Sequence, residues 1–245
     1  MRWFLIVAFL GCRPDPRIAV PASKGVAIGT VTLEWSNVHA VFGEHVLLVD
    51  TGSQGELYKL EQGMKQIGVR LGDVKCAVVT HGHADHAGTA RALQLKGIRI
   101  IAGAADRERN ARGEHGAHNP TGLFSRMLAW FLPETYKPFT ADVLVTDRYD
   151  LAPCGVAGEV IVVGGHTAGS LVVVVGKIAL VGDLFRGGRL AGFVDRTEPM
   201  VHFYQDDKAR AHEQIRALVR RGVELFVLGH GGPAIRSEVI ETFGK

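Results

Sequence analysis

The stretch VVTHGHADHAG, residues 78–88, decides the fold, because it ends an apolar run with three histidines and an aspartate inside six positions. Val78 and Val79 close a short buried strand that begins at Cys76, and a helix is expected to start near Gly88. His81, His83, Asp85 and His86 therefore crowd one strand end. Four such groups in apolar surroundings repel one another or pay heavily for desolvation unless a cation organises them.

Working outward, three later segments repeat the device of one polar donor at the end of an apolar strand. They are GGHTAGS with His166, LVGDLF with Asp183 and LGHGG with His230. Each donor stands beside glycine, which lets backbone approach closely. Seven donors suit two metal ions, and a carboxylate can bridge them.

The chain also repeats a grammar. Residues 26–34 and 38–50 read as strands, with Gly43-Glu44 as a turn in the second stretch. A helix is expected over 54–67, with Leu57, Leu60, Met64 and Ile67 on one stripe. LVVVVGKIALVGD, residues 171–183, is again strand, glycine turn, strand and aspartate, and Gly176 precedes Asp183 by seven residues as Gly43 precedes Asp50. A helix over 206–221, capped by Asp206 or Asp207, and the strand ELFVLGH follow. Two hairpin–helix–strand units imply two related halves. Runs such as LVVVV are apolar on both faces, so two central sheets should carry helices outside them.

At this point the pattern resembles the metallo-β-lactamase superfamily, whose signature is H-x-H-x-D-H followed by separated His, Asp and His. The likeness runs from VDTG (Val49 to Gly52) through the last strand. It implies an α/β fold, the four-layer αββα sandwich, in agreement with the two-half reading. It also implies that His81, His83 and His166 bind a first metal, Asp85, His86 and His230 a second, and that Asp183 bridges them. Zinc is the expected pair of ions, although iron or manganese accepts the same donors.

The implied activity is hydrolysis of a small-molecule carbonyl substrate of the ester/lactone, thioester or amide class, with Asp85 moving the proton. Zinc β-lactamases of the superfamily typically have Cys or Ser where this chain has Asp183. Lactonases keep the aspartate but place a tyrosine three residues later, where Arg186 stands, with Tyr204 as a spatial substitute. A mononuclear iron persulfide dioxygenase, using His81, His166 and Asp183, and a non-catalytic binding protein of the same fold are the alternatives. Asp50 occupies in the first half the place of Asp183 in the second. It either fixes the tautomer of a ligand histidine or shapes the turn before Gly52. Arg186, Tyr204 and His202 are expected to approach substrate, with a solvated loop as the alternative for Arg186, Arg189 and Arg196.

Composition bounds the rest. The 245 residues, 47% hydrophobic and 22% charged, suit one domain with a sizeable core over 21–245. A formal charge of +3 with scattered Lys and Arg gives no reason to expect nucleic acid. Residues 1–20 read as a separate segment: Met1-Arg2, the apolar Trp3 to Leu10, then Gly11-Cys12 and RPDPR. Eight apolar residues cannot cross a bilayer, which needs about 20. The pattern resembles a bacterial lipoprotein signal with Cys12 lipidated, implying an envelope location; an N-terminal strand and a cytoplasmic protein are the alternative. Cys76 and Cys154 then remain, as free thiols or as one bridge. The long irregular stretch 103–142 reads as a lid or as packing onto a sheet.

Overall fold

The computed structural model describes residues 27–116, 119–128, 135–189 and 194–244. The expected signal over 1–20, with Cys12, lies outside these residues. Two six-stranded sheets dominate. The first runs in sequence order through β1 (Ala27–Thr32), β2 (Asn37–Phe42), β3 (Val46–Val49), β4 (Val74–Val79), β5 (Arg99–Gly103) and β6 (Val143–Val145). The second contains β7 (Arg148–Asp150), β8 (Glu159–Val162), β9 (Leu171–Val175) and β10 (Ile178–Leu180). After a ribbon of β11 (Arg186–Arg189) and β12 (Val194–Met200), it is completed by β13 (Leu225–Val227) and β14 (Ala234–Ile235). Its spatial order is β14-β13-β10-β9-β8-β7.

The repeated grammar is visible in the pairing. β2 and β3 are antiparallel, and β3 is parallel to β4 across the helix α1 (Leu57–Gln66). Likewise β9 and β10 are antiparallel, and β10 is parallel to β13. That crossover contains α6 (Lys208–Arg220), whose first turn is capped by Asp207 accepting the Arg210 N–H at 2.9 Å. Parallel neighbours joined by a helix bring their carboxyl ends to one edge of each sheet, the usual position of a ligand site in such folds.

Strand alternation sorts the apolar residues into layers. Along β9, Leu171, Val173 and Val175 face a core between the sheets, shared with Val78, Ile101 and Val160. Val172 and Val174 face an outer core with Ile215 and Leu218 of α6 and Val239 and Phe243 of α7 (Arg236–Phe243). On the opposite outer face, Ala77 and Val79 of β4 meet Leu60 and Met64 of α1, Ala84 and Ala87 of α2 (Ala84–Ala87) and Leu93 of α3 (Ala90–Leu95). The result is helix, sheet, sheet, helix. Each buried Leu, Ile or Val contributes roughly 1.5–3 kcal/mol relative to exposure.

Cys76 on β4 and Cys154, in the turn before β8, are joined by a disulfide in the middle core, tying the two sheets together across 78 positions. The stretch 103–142 holds α4 (Arg107–Arg112) and α5 (Leu123–Leu128), while residues 117–118 and 129–134 lie outside the description. Residues 119–125 lie against the segment after β12: Thr121 Oγ1 donates to the His202 carbonyl at 2.8 Å and the Tyr204 hydroxyl to the Ser125 carbonyl at 2.7 Å. No helix among the described residues is long and apolar enough to cross a membrane.

Candidate metal centre

Every expected donor stands on a connection at one edge of the sandwich. β4 delivers His81 and His83, and the short α2 that follows carries Asp85 and His86. His166 lies between β8 and β9, Asp183 three residues beyond β10, and His230 three beyond β13. His81, His83 and His166 form one group with donor atoms within 4.8 Å of one another; Asp85, His86 and His230 form a second; Asp183 joins His81 and His86 in a third. The structure thus brings together all seven residues that the sequence singled out.

Asp183 lies at the middle. Its Oδ2 is 3.7 Å from His81 Nε2, 3.6 Å from His166 Nε2 and 3.2 Å from His230 Nε2, while Oδ1 is 3.3 Å from His86 Nε2. Gly229 makes this approach possible: a Cβ there would fall 2.4 Å from Asp183 Oδ1 and 2.7 Å from a carbon of the His86 ring.

Neighbouring groups fix the imidazole orientations. Asp50 accepts His86 Nδ1–H at 2.8 Å and the Thr80 N–H and Oγ1–H, each at 2.8 Å. It adopts φ 65°, a left-handed conformation held by these bonds. Thr80 Oγ1 is 3.0 Å from His81 Nδ1, and the Tyr204 carbonyl accepts His166 Nδ1–H at 2.7 Å. These contacts leave Nε2 of His81, His86 and His166 facing inward. His83 instead offers Nδ1, 2.9 Å from His166 Nε2.

The donor set fits divalent cations on two observations. His81 Nε2 and Asp183 Oδ1 are buried with no hydrogen-bond partner among the described residues, although unmet buried polar groups are rare. The arrangement is also nitrogen- and oxygen-rich, as zinc, iron and manganese require. Electrostatics agree. Burial, reinforced by neighbouring histidines, holds His81 and His83 well below the usual imidazole range. Burial lowers His166 to about 4, against an opposing pull from Asp183. Burial would also lower His86 and His230, but Asp183 and Asp85 outweigh it, raising His86 well above the usual value and His230 to about 10. Burial opposes ionisation of Asp85 and Asp183, yet the facing histidines keep both carboxyls well below their ordinary range.

Three residues expected to approach substrate occupy different places. Arg186 is buried, its guanidinium carbon 3.9 Å above the Phe203 ring centroid and one N–H donated to the Gly188 carbonyl. It is therefore not part of a solvated loop, whereas Arg196 is exposed; the Arg189 side chain lies outside the description. Tyr204 turns its hydroxyl to Ser125 and meets the histidines through its carbonyl. His202 is buried with Nε2 3.2 Å from Asp183 Oδ2. Burial lowers it to about 3, opposed by Asp183.

Other participants complete the arrangement, and among them Asp106 and Asn37 escaped the sequence reading. Asp106, buried after β5, accepts N–H groups from Gly82 at 2.9 Å and Gly169 at 3.2 Å and the Thr167 hydroxyl at 2.7 Å. It clamps the His81–His83 loop to the His166 loop. Its available signal was position, since IRIIAG is another apolar strand ending at the same edge. His115 stacks on His83 with centroids 3.9 Å apart. His39, through Nε2, and Asn37 reach the Leu228 carbonyl, both at 3.0 Å, bracing the loop that carries His230.

Comparison with known proteins agrees with this geometry. The family described as the Metallo-beta-lactamase superfamily matches residues 35–230. "Metallo-beta-lactamase domain-containing protein 1" of Xenopus laevis is 29% identical over 212 residues, covering 84% of this chain and 72% of that protein. Among solved structures, a metallo-beta-lactamase family protein of Thermus thermophilus superposes with a TM-score of 0.63 at 19% identity, covering 90% of this chain and 78% of the other. An archaeal superfamily protein of Sulfolobus tokodaii gives 0.60 at 16% identity, covering 89% and 84%. With the match spanning most of its length, and the sandwich and donor cluster in place, this chain belongs to the metallo-β-lactamase superfamily.

Proposed function

We propose that the chain is a hydrolase using two divalent ions, zinc by preference, to cleave an ester or lactone, a thioester or an amide. The observation that carries this reading is the convergence of seven donors, from four separate connections, with the buried Asp183 among them. His81, His83 and His166 would hold one ion, Asp85, His86 and His230 the other, and Asp183 both. When bound, such ions supply Lewis acidity toward a carbonyl oxygen and ionise water near pH 7.

The protein's own residues do the rest. Asp50, Thr80 and the Tyr204 carbonyl hold imidazole orientations and so keep the inward nitrogens in place. Asp85 is the more open of the two inward carboxylates, its side chain 16% exposed against 2% for Asp183. Ionised and within reach of incoming substrate, it accepts a proton at Oδ2 and returns it to the leaving group. Superfamily membership supports hydrolysis in general, and the donor chemistry supports zinc.

A panel of activated esters, lactones, thioesters and β-lactams tests the reading. The zinc-loaded protein should turn over at least one class, lose that activity to a chelator and regain it with zinc. An inert panel together with one iron per chain and persulfide-dependent oxygen consumption would replace hydrolysis by oxygenation.

For location, we propose an oxidising compartment, with Cys12 lipidated at the bacterial envelope. The buried Cys76–Cys154 bridge supports this, since structural disulfides accumulate outside the reducing cytosol. A Cys12→Ser variant should leave the membrane fraction; equal partition of both forms would reject the anchor.

A further inference from the structure

One inward-facing nitrogen is unused by the seven-donor scheme. His202 stands between β12 and α6, and its Nε2 lies 3.2 Å from Asp183 Oδ2, nearer than Nε2 of His81 or His166. Its ring meets that of His166 edge to face, with centroids 4.6 Å apart. Donor atoms of His166, Asp183 and His202 lie within 4.8 Å of one another, a group able to hold an ion by itself.

The Tyr204 backbone meets the other ring nitrogen from two sides. Its carbonyl oxygen is 3.1 Å from His202 Nδ1, and the same oxygen takes the Nδ1–H of His166. With its proton on Nδ1, His202 turns a bare Nε2 lone pair toward a carboxylate oxygen. Two lone pairs facing each other in a buried site repel, and a cation placed between them converts the repulsion into two bonds. The other tautomer, with the Tyr204 N–H donating to Nδ1, has the longer contact of 3.3 Å. It would make His202 a hydrogen-bond donor to Asp183 instead.

We infer that His202 is an eighth metal donor, adding its Nε2 to an ion shared with His166 and Asp183. The inference rests on the metal-centre reading above and assigns the two halves of the centre different tasks. The side chains of His81, His166, His202 and Asp183 are 1–6% exposed, whereas that of His230 is 24% exposed. A position closed by protein donors retains its ion, while one with an open side exchanges ligands and takes substrate. The inner ion is then an anchor, and substrate enters on the Asp85–His230 side.

The test uses the full chain labelled with 15N-histidine and loaded with 113Cd. A one-bond cadmium–nitrogen coupling on His202 Nε2, alongside those of the five other ligand histidines, is the expected result. That coupling should be missing from His202→Phe, or from His202→Asn should the first variant fold poorly. Stepwise chelation of the wild type should strip the couplings of His86 and His230 first. A directly bonded proton on His202 Nε2 in the loaded protein overturns the inference and leaves the seven-donor centre standing. Absence of cadmium coupling from every histidine overturns both.

Discussion

The two halves of the sandwich share a hairpin–helix–strand unit but use its aspartate in opposite ways. Asp50 follows β3 directly and points back, holding Thr80 and His86. Asp183 comes three residues after β10, beyond Gly182, and reaches into the donor cluster. Two extra residues past the strand end thus separate a group that orients neighbouring donor side chains from one that stands among them. The lesson is that equal spacing from the hairpin glycine does not give equal roles; distance from the strand end does.

The comparison is most sharply broken by exchanging the two carboxylates for amides. Asp183→Asn should lower turnover by more than the roughly 10- to 100-fold associated with residues behind the ligands, and should release metal. Asp50→Asn should remain within that range, roughly 10- to 100-fold weaker in metal affinity, with both ions still bound at saturation. Titration of each variant with zinc, alongside steady-state kinetics, measures both. Equal losses would mean that the two aspartates have one role.

The halves are also tied through Cys76 and Cys154. Replacing both by serine should cost about 2–4 kcal/mol of unfolding free energy while leaving the turnover of folded protein unchanged, since the bridge lies in the core away from the donors. Urea denaturation with and without reductant checks this.

A smaller contrast follows pH. Burial lowers His39, in the first half, to about 4, partly opposed by the Leu228 carbonyl. Its unfolded value near 6.5 is higher, so unfolded chains take up a proton that folded ones refuse. Its contribution is complete above pH 6.5 and is lost as pH falls from there toward 4. His230, in the second half, is raised to about 10 despite burial, so its contribution is complete below 6.5 and is lost as pH rises toward 10. Metal-free protein should therefore be most stable near pH 6.5, and melts across pH 5–9 should show a maximum there. The smallest effect belongs to the crossover helices: Asp207→Ala removes the α6 cap and should cost about 1 kcal/mol, whereas α1 has no side-chain cap to lose.

Much of this was legible in the sequence because the signals were local. HGHADH is a contiguous string, and the alternation along β9 and the stripe on α1 are short-range periodicities. β4, α1, β9, β10 and α6 fall within a few residues of where pattern placed them. The remainder depends on contacts between distant segments. Asp106 spans from Gly82 to Thr167, a clamp at which only its position after the apolar IRIIAG hints. His202 resembles any loop histidine until β12 brings it beside Asp183. Arg186 reads as a surface charge until Phe203 covers it. Pairing of Cys76 with Cys154 required knowing that β4 and the turn before β8 face the same core.

The central claim is that the seven donors close around two cations, and elemental analysis of the purified, reconstituted chain tests it most directly. The account predicts two divalent ions per chain in the wild type, falling to one or fewer in Asp183→Asn. A wild type that takes up a single ion, with His86→Ala and His230→Ala variants taking up the same amount, would contradict it.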